Sequence, residues 1–463
     1  MLGKMKKSIS TYSYPEMATL IISVMTAFLL TLLTAHGDDF ALLRTHIFWD
    51  FLFDGNIEHF YDFRDTGGIL GNVHNCNLLD RLPLLLWYLP SWIVTKLAGG
   101  GNSLETYTTF YHLMWHKLFL AIMCLLCIKS MIEICKVLNS KEMSKYCVLL
   151  MAVSPGLILS VFFCGQDEII YITFFVIALE YYAKGNQKRY YFWAIWSALS
   201  CPLMLMPYLF ITILDDKQLY SIIGKLVLPI IPQLLYSLFF SQCMVYRYTT
   251  ASDYIRIYFT TNNISMGYGT FSILAVVLIL LFTYAYLYRP DLSNVKEKVQ
   301  ILSYMIALIF ASLTTLAWES GYRNFLWVPF AILFAVNLED SIRCKLCLAI
   351  VSCMDMLQTV RVFYTTNLLW SGDGRNRLTV LGYKILGSSK YFRFPLLLNK
   401  SGIEVVMLNS LMMVCLLLFF YFGKKKSYGR LELQLELHSV IFLCSLVLPL
   451  LLIYSFLCAY LIG

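Results

Sequence analysis

Apolar runs recur along the whole chain, at roughly Met17–Ala35, Tyr111–Ile128, Cys147–Phe162, Ile169–Tyr182, Tyr191–Leu214, Leu219–Phe240, Thr270–Tyr286, Ile301–Leu316, Phe325–Val336, Leu346–Val360, Val405–Phe422 and Ser439–Tyr460. Most are long enough to cross a bilayer, where only a helix or a closed barrel satisfies its own backbone hydrogen bonds. Hydrophobic residues make up 59% of the chain and charged residues 14%, against about 25% charged in soluble domains. The mean hydropathy is +0.68. A soluble enzyme, a disordered chain and a coiled coil are excluded. At roughly 30 to 35 residues per span and loop, 463 residues hold about 13 spans. The expected fold is all-α: one polytopic membrane domain, residues 1–463, of about 12–13 transmembrane helices.

The net charge of +8, from 36 Lys and Arg against 28 Asp and Glu, is a topology signal and not a nucleic-acid stripe. With the N-terminal segment inside, Lys4 to Lys7, Lys129 to Lys145, Lys184 to Arg189, Lys217, Arg289 to Lys298, Arg343 with Lys345, and Lys424 to Arg430 all fall on the cytoplasmic side. That parity leaves the long connections outside, 36–110, 241–269 and 361–402. It also makes the first span a signal anchor, Leu82–Leu97 an interfacial helix, and Tyr191–Leu214 two short spans meeting near Ser200–Pro202. Either a bacterial plasma membrane or an endoplasmic reticulum membrane fits. The two C-x-x-C matches, Cys124/Cys127 and Cys344/Cys347, lie in or beside spans without a βαβ context and read as small buried hydrophobes.

The scarce charges outside the membrane carry the functional signal. His36, Gly37, Asp38 and Asp39 follow the first span directly. Two adjacent carboxylates repel each other, which suits a general base or a cation site; the alternative is that they cap the helical segment after them. A second cluster, Gln166-Asp167-Glu168, follows Cys164-Gly165 in a tight outer turn, either as a site or as the cap of the next helix. A third is basic: Arg361, Arg375, Arg377, Lys384, Lys390, Arg393 and Lys400 in the 361–402 loop. Arginine matches the geometry of phosphate, though long outer loops also escape the positive-inside rule. Glu319 and Arg323 occupy a further short outer turn.

Weaker patterns include His112 and His116, four apart on one helix face without the Glu of a zincin motif, and read as a packed pair. With His36, His46, His59 and His74 all in the first outer loop, a divalent metal held with Asp38 or Asp39 stays open, and no cofactor is required. Gly99-Gly100-Gly101 reads as a turn. Walker, Rossmann and G-x-S-x-G motifs are lacking.

Taken in order, these residues resemble the C-type glycosyltransferase superfamily. The likeness rests on a signal-anchor span ending in Asp38 and Asp39, a long outer loop continuing with Asp54-Gly55-Asn56, Phe60-Tyr61 and Arg81-Leu82-Pro83, and Gly165-Gln166-Asp167 at the start of a later span. Within the superfamily it is to polytopic mannosyltransferases and bacterial relatives that use polyprenyl-phosphate sugars. It covers about the first 200 residues by motif. The resemblance implies a large extracytoplasmic loop carrying amphipathic helices, a polyprenyl-phosphate-linked hexose donor, and a glycan or glycolipid acceptor on the extracytoplasmic or lumenal face. Asp38 or Asp39 would then be the general base; His36, Gln166, Asp167, Glu168 and Arg81 would bind sugar or acceptor. Charge logic makes Arg361, Arg375, Arg377, Lys390 and Arg393 candidates for the phosphate, with Arg323 either reaching the same phosphate or pairing with Glu319, and single displacement with inversion is expected. Two other readings share the membrane fold: a transporter or flippase for a lipid-linked glycan, and a polymerase or ligase using a lipid-diphosphate donor.

Overall fold

Helix α1 (Tyr14–Leu33) starts where Ser13 meets Tyr14-Pro15-Glu16. Proline in the first turn gives up an N–H that has no helical partner, and the Ser13 amide donates to the Glu16 carboxylate at 2.7 Å, so the end is satisfied locally. The computed structural model describes residues 12–34, 38–62, 82–100, 109–138, 144–242, 263–266, 269–288, 294–316, 325–366, 379, 381, 384, 403–424 and 437–462. After α1 come α2 (Asp38–Phe53), α3 (Leu82–Leu97), α4 (Phe110–Val137), α5 (Ser144–Val153), α6 (Pro155–Phe163), α7 (Glu168–Ala183), α8 (Gln187–Ser200), α9 (Leu205–Asp215) and α10 (Leu219–Phe239). Then follow α11 (Ile273–Leu287), α12 (Val295–Leu316), α13 (Val328–Val336), α14 (Ser341–Thr366), α15 (Ile403–Lys424) and α16 (Leu437–Ile462). Between α10 and α11 lies an antiparallel hairpin, β1 (Asn263–Met266) and β2 (Gly269–Ser272), with Asn263 opposite Ser272. Nothing in the sequence pattern anticipates it.

Among the described residues, α1, α4, α10, α12 and the Val406–Lys424 part of α15 are long and apolar enough to cross a membrane. The pair α5 and α6, bent by 50° at Ser154, makes a sixth when counted as one span. The chain is a helical membrane protein. Its centre is α13 with α7 and the part of α12 from Val299 to Leu316, largely apolar helices buried on nearly every face. Around them α4 and α8 pack on α7, α15 and α16 on α14, and α1 on α16 and α5. Helix α10 exposes Ile223, Leu234, Leu235 and Leu238, side chains that only hydrocarbon would cover without cost. Some polar groups inside the bundle pair with one another: Trp327 Nε1 donates to Gln358 Oε1 at 2.8 Å, and Gln358 Nε2 donates to Thr314 Oγ1 at 3.1 Å.

Two sequence expectations change. The run Cys147–Phe162 is not one straight span, because Ser154-Pro155-Gly156 starts a new helix: Ser154 Oγ accepts the Leu157 N–H at 3.1 Å. The 361–402 loop does not open at Arg361, since α14 continues to Thr366. The break near Ser200–Pro202 does occur, with Pro202–Met204 forming a 3-10 turn between α8 and α9. Leu82–Leu97 is a helix around Pro90, packed against α2. The thiols of Cys124, Cys127, Cys344 and Cys347 are free and buried.

Charges read as sharing one side do meet at one end of the bundle. Lys145 and His438 both approach Glu16, at 3.1 and 3.6 Å, and Lys184 reaches Glu180 at 2.5 Å and Glu133 at 4.0 Å. Arg343 donates to the Phe422 carbonyl, and Lys424 lies over Tyr284. Nearby, the Asp216 carboxylate accepts from Ser221, the Gln218 amide and Lys225, which hold its carboxyl down at about 2. A depressed carboxyl stabilises the fold above the usual range near 4, and the benefit fades as pH falls toward 2. Thermal melting of wild type and Asp216→Ala is therefore expected to differ at pH 6 and to converge as pH drops below about 4; a gap that persists undiminished at pH 2.5 refutes the assignment.

Candidate functional site

At the bundle end opposite Glu16, five consecutive carbonyls close the C-terminus of α1. A helix leaves its last four carbonyls without intrahelical donors. Here Thr34 N–H and Oγ1 donate to Leu30 O at 3.0 and 2.6 Å. The Lys117 ammonium, 1% exposed on α4, donates to Thr34 O at 2.5 Å and Thr31 O at 3.3 Å. Thr379 supplies the other two, its Oγ1 to Leu32 O at 2.6 Å and its N–H to Leu33 O at 2.9 Å. A cation at this end also suits the helix macrodipole. Asp38 and Asp39, four and five residues after Thr34, lie in the first turn of α2; their side chains lie outside the described set.

The Gln166-Asp167-Glu168 turn sits beside this clamp. The last six residues of α6, Ile158–Phe163, wind as a π-helix, so Cys164 N bonds back to Leu159 O and Gln166 N to Ser160 O. Gly165 then takes φ +58°, a conformation that favours glycine. Its carbonyl receives the His116 Nε2–H at 2.9 Å, which fixes that tautomer, and Asp167 Oδ1 lies 3.9 Å from the same nitrogen. Phe163 O accepts from Thr34 Oγ1 at 3.3 Å, tying the turn to α1. Asp167 occupies the N-cap position of α7 without a side-chain capping bond, and Glu168, in the first turn, is buried. Capping therefore does not account for the Asp167 side chain, and Gln166 donates locally, to Cys164 O at 3.3 Å.

A wall of rings continues from His116. Tyr88 stacks on it with centroids 6.0 Å apart; His46 of α2 lies 5.3 Å from Tyr88 and 5.1 Å from His112. His46 Nε2 is 3.1 Å from Ser91 Oγ, and Asp50 accepts from Trp92 Nε1 and Lys96 Nζ, both at 2.8 Å. These contacts lock α2 onto α3 and α4. His112 and His116 part company: His112 turns to Thr95 and Thr109, at 2.9 and 2.6 Å, and His116 to Gly165. Among the described residues no three His, Cys, Asp or Glu side chains form a metal-holding group.

Of the residues expected from sequence, Gln166, Asp167 and Glu168 come together with the acid-bearing end of α1. Arg361 also reaches this end, but as a buried residue of α14 donating to Asn409 Oδ1 at 3.1 Å. Its neighbour Val362 packs with Leu30, Leu159 and Phe163. His36, Arg81, Glu319, Arg323, Arg375, Arg377, Lys390 and Arg393 lie outside the described residues. Thr34, Thr379 and the site role of Lys117 were not read from sequence; only Lys117, a lone cation in an apolar run, carried a signal. Compared with protein-family models, curated proteins and solved structures, the chain matches none.

Proposed function

We propose that the protein is an integral-membrane glycosyltransferase that moves a hexose from a polyprenyl-phosphate carrier to a glycan or glycolipid acceptor. The supporting observation is the convergence at the α1 C-terminus. Asp38 and Asp39 follow a clamp made by Lys117 and by Thr379 of the basic 361–402 segment, and the Gly165–Glu168 turn is bonded to the same helix end. An acceptor hydroxyl is a poor nucleophile, and a carboxylate next to it takes its proton as the C–O bond forms. The departing lipid phosphate needs cations, and Arg375 and Arg377 stand four and two residues before Thr379. Gln166 and Asp167 offer polar groups to sugar or acceptor hydroxyls. The basic residues gathered at the Glu16 end favour that end as cytoplasmic, which supports a site on the extracytoplasmic or lumenal face.

One observation favours a transporter or flippase instead: the α5–α6 break, with the Asp355 carboxyl bonded to Ser154 Oγ at 2.7 Å and Gly156 N at 3.2 Å deep in the bundle. Broken helices with midplane acids mark many carriers. Here the acid is satisfied by its own chain, while Lys225 pairs with Asp216 at a loop. The test uses proteoliposomes with radiolabelled polyprenyl-phosphate hexose and a lipid or glycan acceptor. Glycosylated acceptor together with released polyprenyl phosphate is expected. Transbilayer movement of the intact donor without bond cleavage overturns the reading in favour of transport, and turnover of polyprenyl-diphosphate glycans alone overturns it in favour of a ligase.

A further inference from the structure

We propose that the break between α5 and α6 holds one dehydrated monovalent cation of sodium size, at a site that does not depend on the glycosyltransferase reading. The local cause is the run Ser154-Pro155-Gly156-Leu157. In an unbroken helix the N–H groups of residues 155, 156 and 157 would bond to the carbonyls of Met151, Ala152 and Val153. Pro155 has no N–H, the Gly156 N–H goes to Asp355 Oδ1 at 3.2 Å, and the Leu157 N–H goes to Ser154 Oγ at 3.1 Å. The end of α5 therefore presents carbonyl oxygens, the negative end of its dipole, inside the bundle, where Met151 and Val153 are buried.

A carboxyl group meets that end. Asp355 of α14 is 3% exposed, and besides the Gly156 amide it accepts from Ser154 Oγ at 2.7 Å. Gly156 N only donates, and Ser154 Oγ, already accepting from Leu157, has its own hydrogen for Asp355 Oδ2. A carboxyl proton would need an acceptor of its own, and both oxygens face donors. Hydrogen bonds thus satisfy the oxygens, but among the described residues no Lys, Arg or His pairs with the charge. A carboxylate out of water is costly without a countercharge, and the start of α6 supplies only about half of one.

Beside these groups lies a cavity walled in part by Val153, Ser154, Ser352, Asp355 and Cys444, with room for about one water molecule. A single negative charge selects a monovalent ion, and the space excludes an ion that keeps its hydration shell, as magnesium does. The Asp355 carboxylate, the Ser154 hydroxyl and the Val153 carbonyl would hold it, a hard oxygen set. Carbonyls at the ends of broken helices coordinate sodium in this way in membrane carriers. Bound there, the ion would tie α5 and α6 to α14.

The full chain in detergent provides the test, with ionic strength held constant by N-methylglucamine chloride. Replacing that cation with sodium is expected to raise Tm by a few degrees, in step with the logarithm of sodium concentration. Radioactive sodium is expected to bind at one ion per chain and to be displaced by unlabelled sodium but not by N-methylglucamine. Asp355→Asn keeps an acceptor for the Gly156 amide without the charge and is expected to lose both effects. Should that variant fail to fold, wild type decides alone. Wild-type protein that melts alike in both salts and binds no stoichiometric sodium overturns the proposal, leaving water or a proton at the break. A folded Asp355→Asn protein that binds sodium as wild type does places the ion elsewhere and overturns the assignment.

Discussion

Replacing Asp38 and Asp39 together with asparagine is expected to lower sugar transfer by roughly 10² to 10⁴-fold while leaving the melting temperature close to wild type. Asparagine caps a helix about as well as aspartate but takes no proton at neutral pH. The substitution therefore separates the two roles open to this pair at the start of α2. Alanine at both positions is expected to lose transfer to the same extent and in addition about 0.5 to 2 kcal/mol of stability from the missing cap. Single substitutions assign the base to one of the two residues. Initial rates with labelled polyprenyl-phosphate hexose, read beside thermal melts of the same preparations, provide the check. Full transfer by the double asparagine variant would remove the acids from the chemistry and leave them as caps.

Gly156→Ala is expected to destabilise the bundle by about 2 to 5 kcal/mol, the sum of overpacking and of a buried carboxyl deprived of donors. A Cβ on residue 156 would stand 2.3 Å from Asp355 Oδ1, and no rotation of a helical backbone relieves that contact. Either α14 retreats or the Asp355 side chain turns away, and both movements break the bonds to Ser154 Oγ and the Gly156 amide. The damage would reach the site, because α6 leads into the Gly165–Glu168 turn and α14 carries Val362 against Phe163. Thermal unfolding in detergent gives the loss directly. A double variant with Asp355→Ala should cost less than the two single changes added, since the second removes the obstacle created by the first. Additive losses, or a Gly156→Ala protein that melts like wild type, would mean that this close approach is not maintained.

Much of the helical layout was legible because hydrophobic length is a local property. The run Tyr111–Ile128 lies inside α4, Met17–Ala35 nearly coincides with α1, and the prolines near Ser200 marked a break that does occur. The bend at Ser154 was written in Ser154-Pro155-Gly156 as well, but the continuous apolar run around it outweighs that signal. Arg361 was misread for a related reason. Its charge suggests a loop, yet a long stem with an amide partner, Asn409, lets arginine stay within a helix.

The candidate site was legible only as separate clusters. Gln166, Asp167, Asp38 and Asp39 stood out as polar residues at span ends, and their shared end followed from parity alone. The contacts that join them did not, since Lys117 meets Thr34 across 83 positions and Thr379 meets Leu32 across 347. By itself the sequence determined that this chain is a helical membrane protein, because transfer of side chains into hydrocarbon depends on each segment's own composition. Only the tertiary structure decided which polar groups share a site. A buried lysine or a helix-end carbonyl must bond to whatever packing brings within about 3 Å, and no local periodicity specifies that partner.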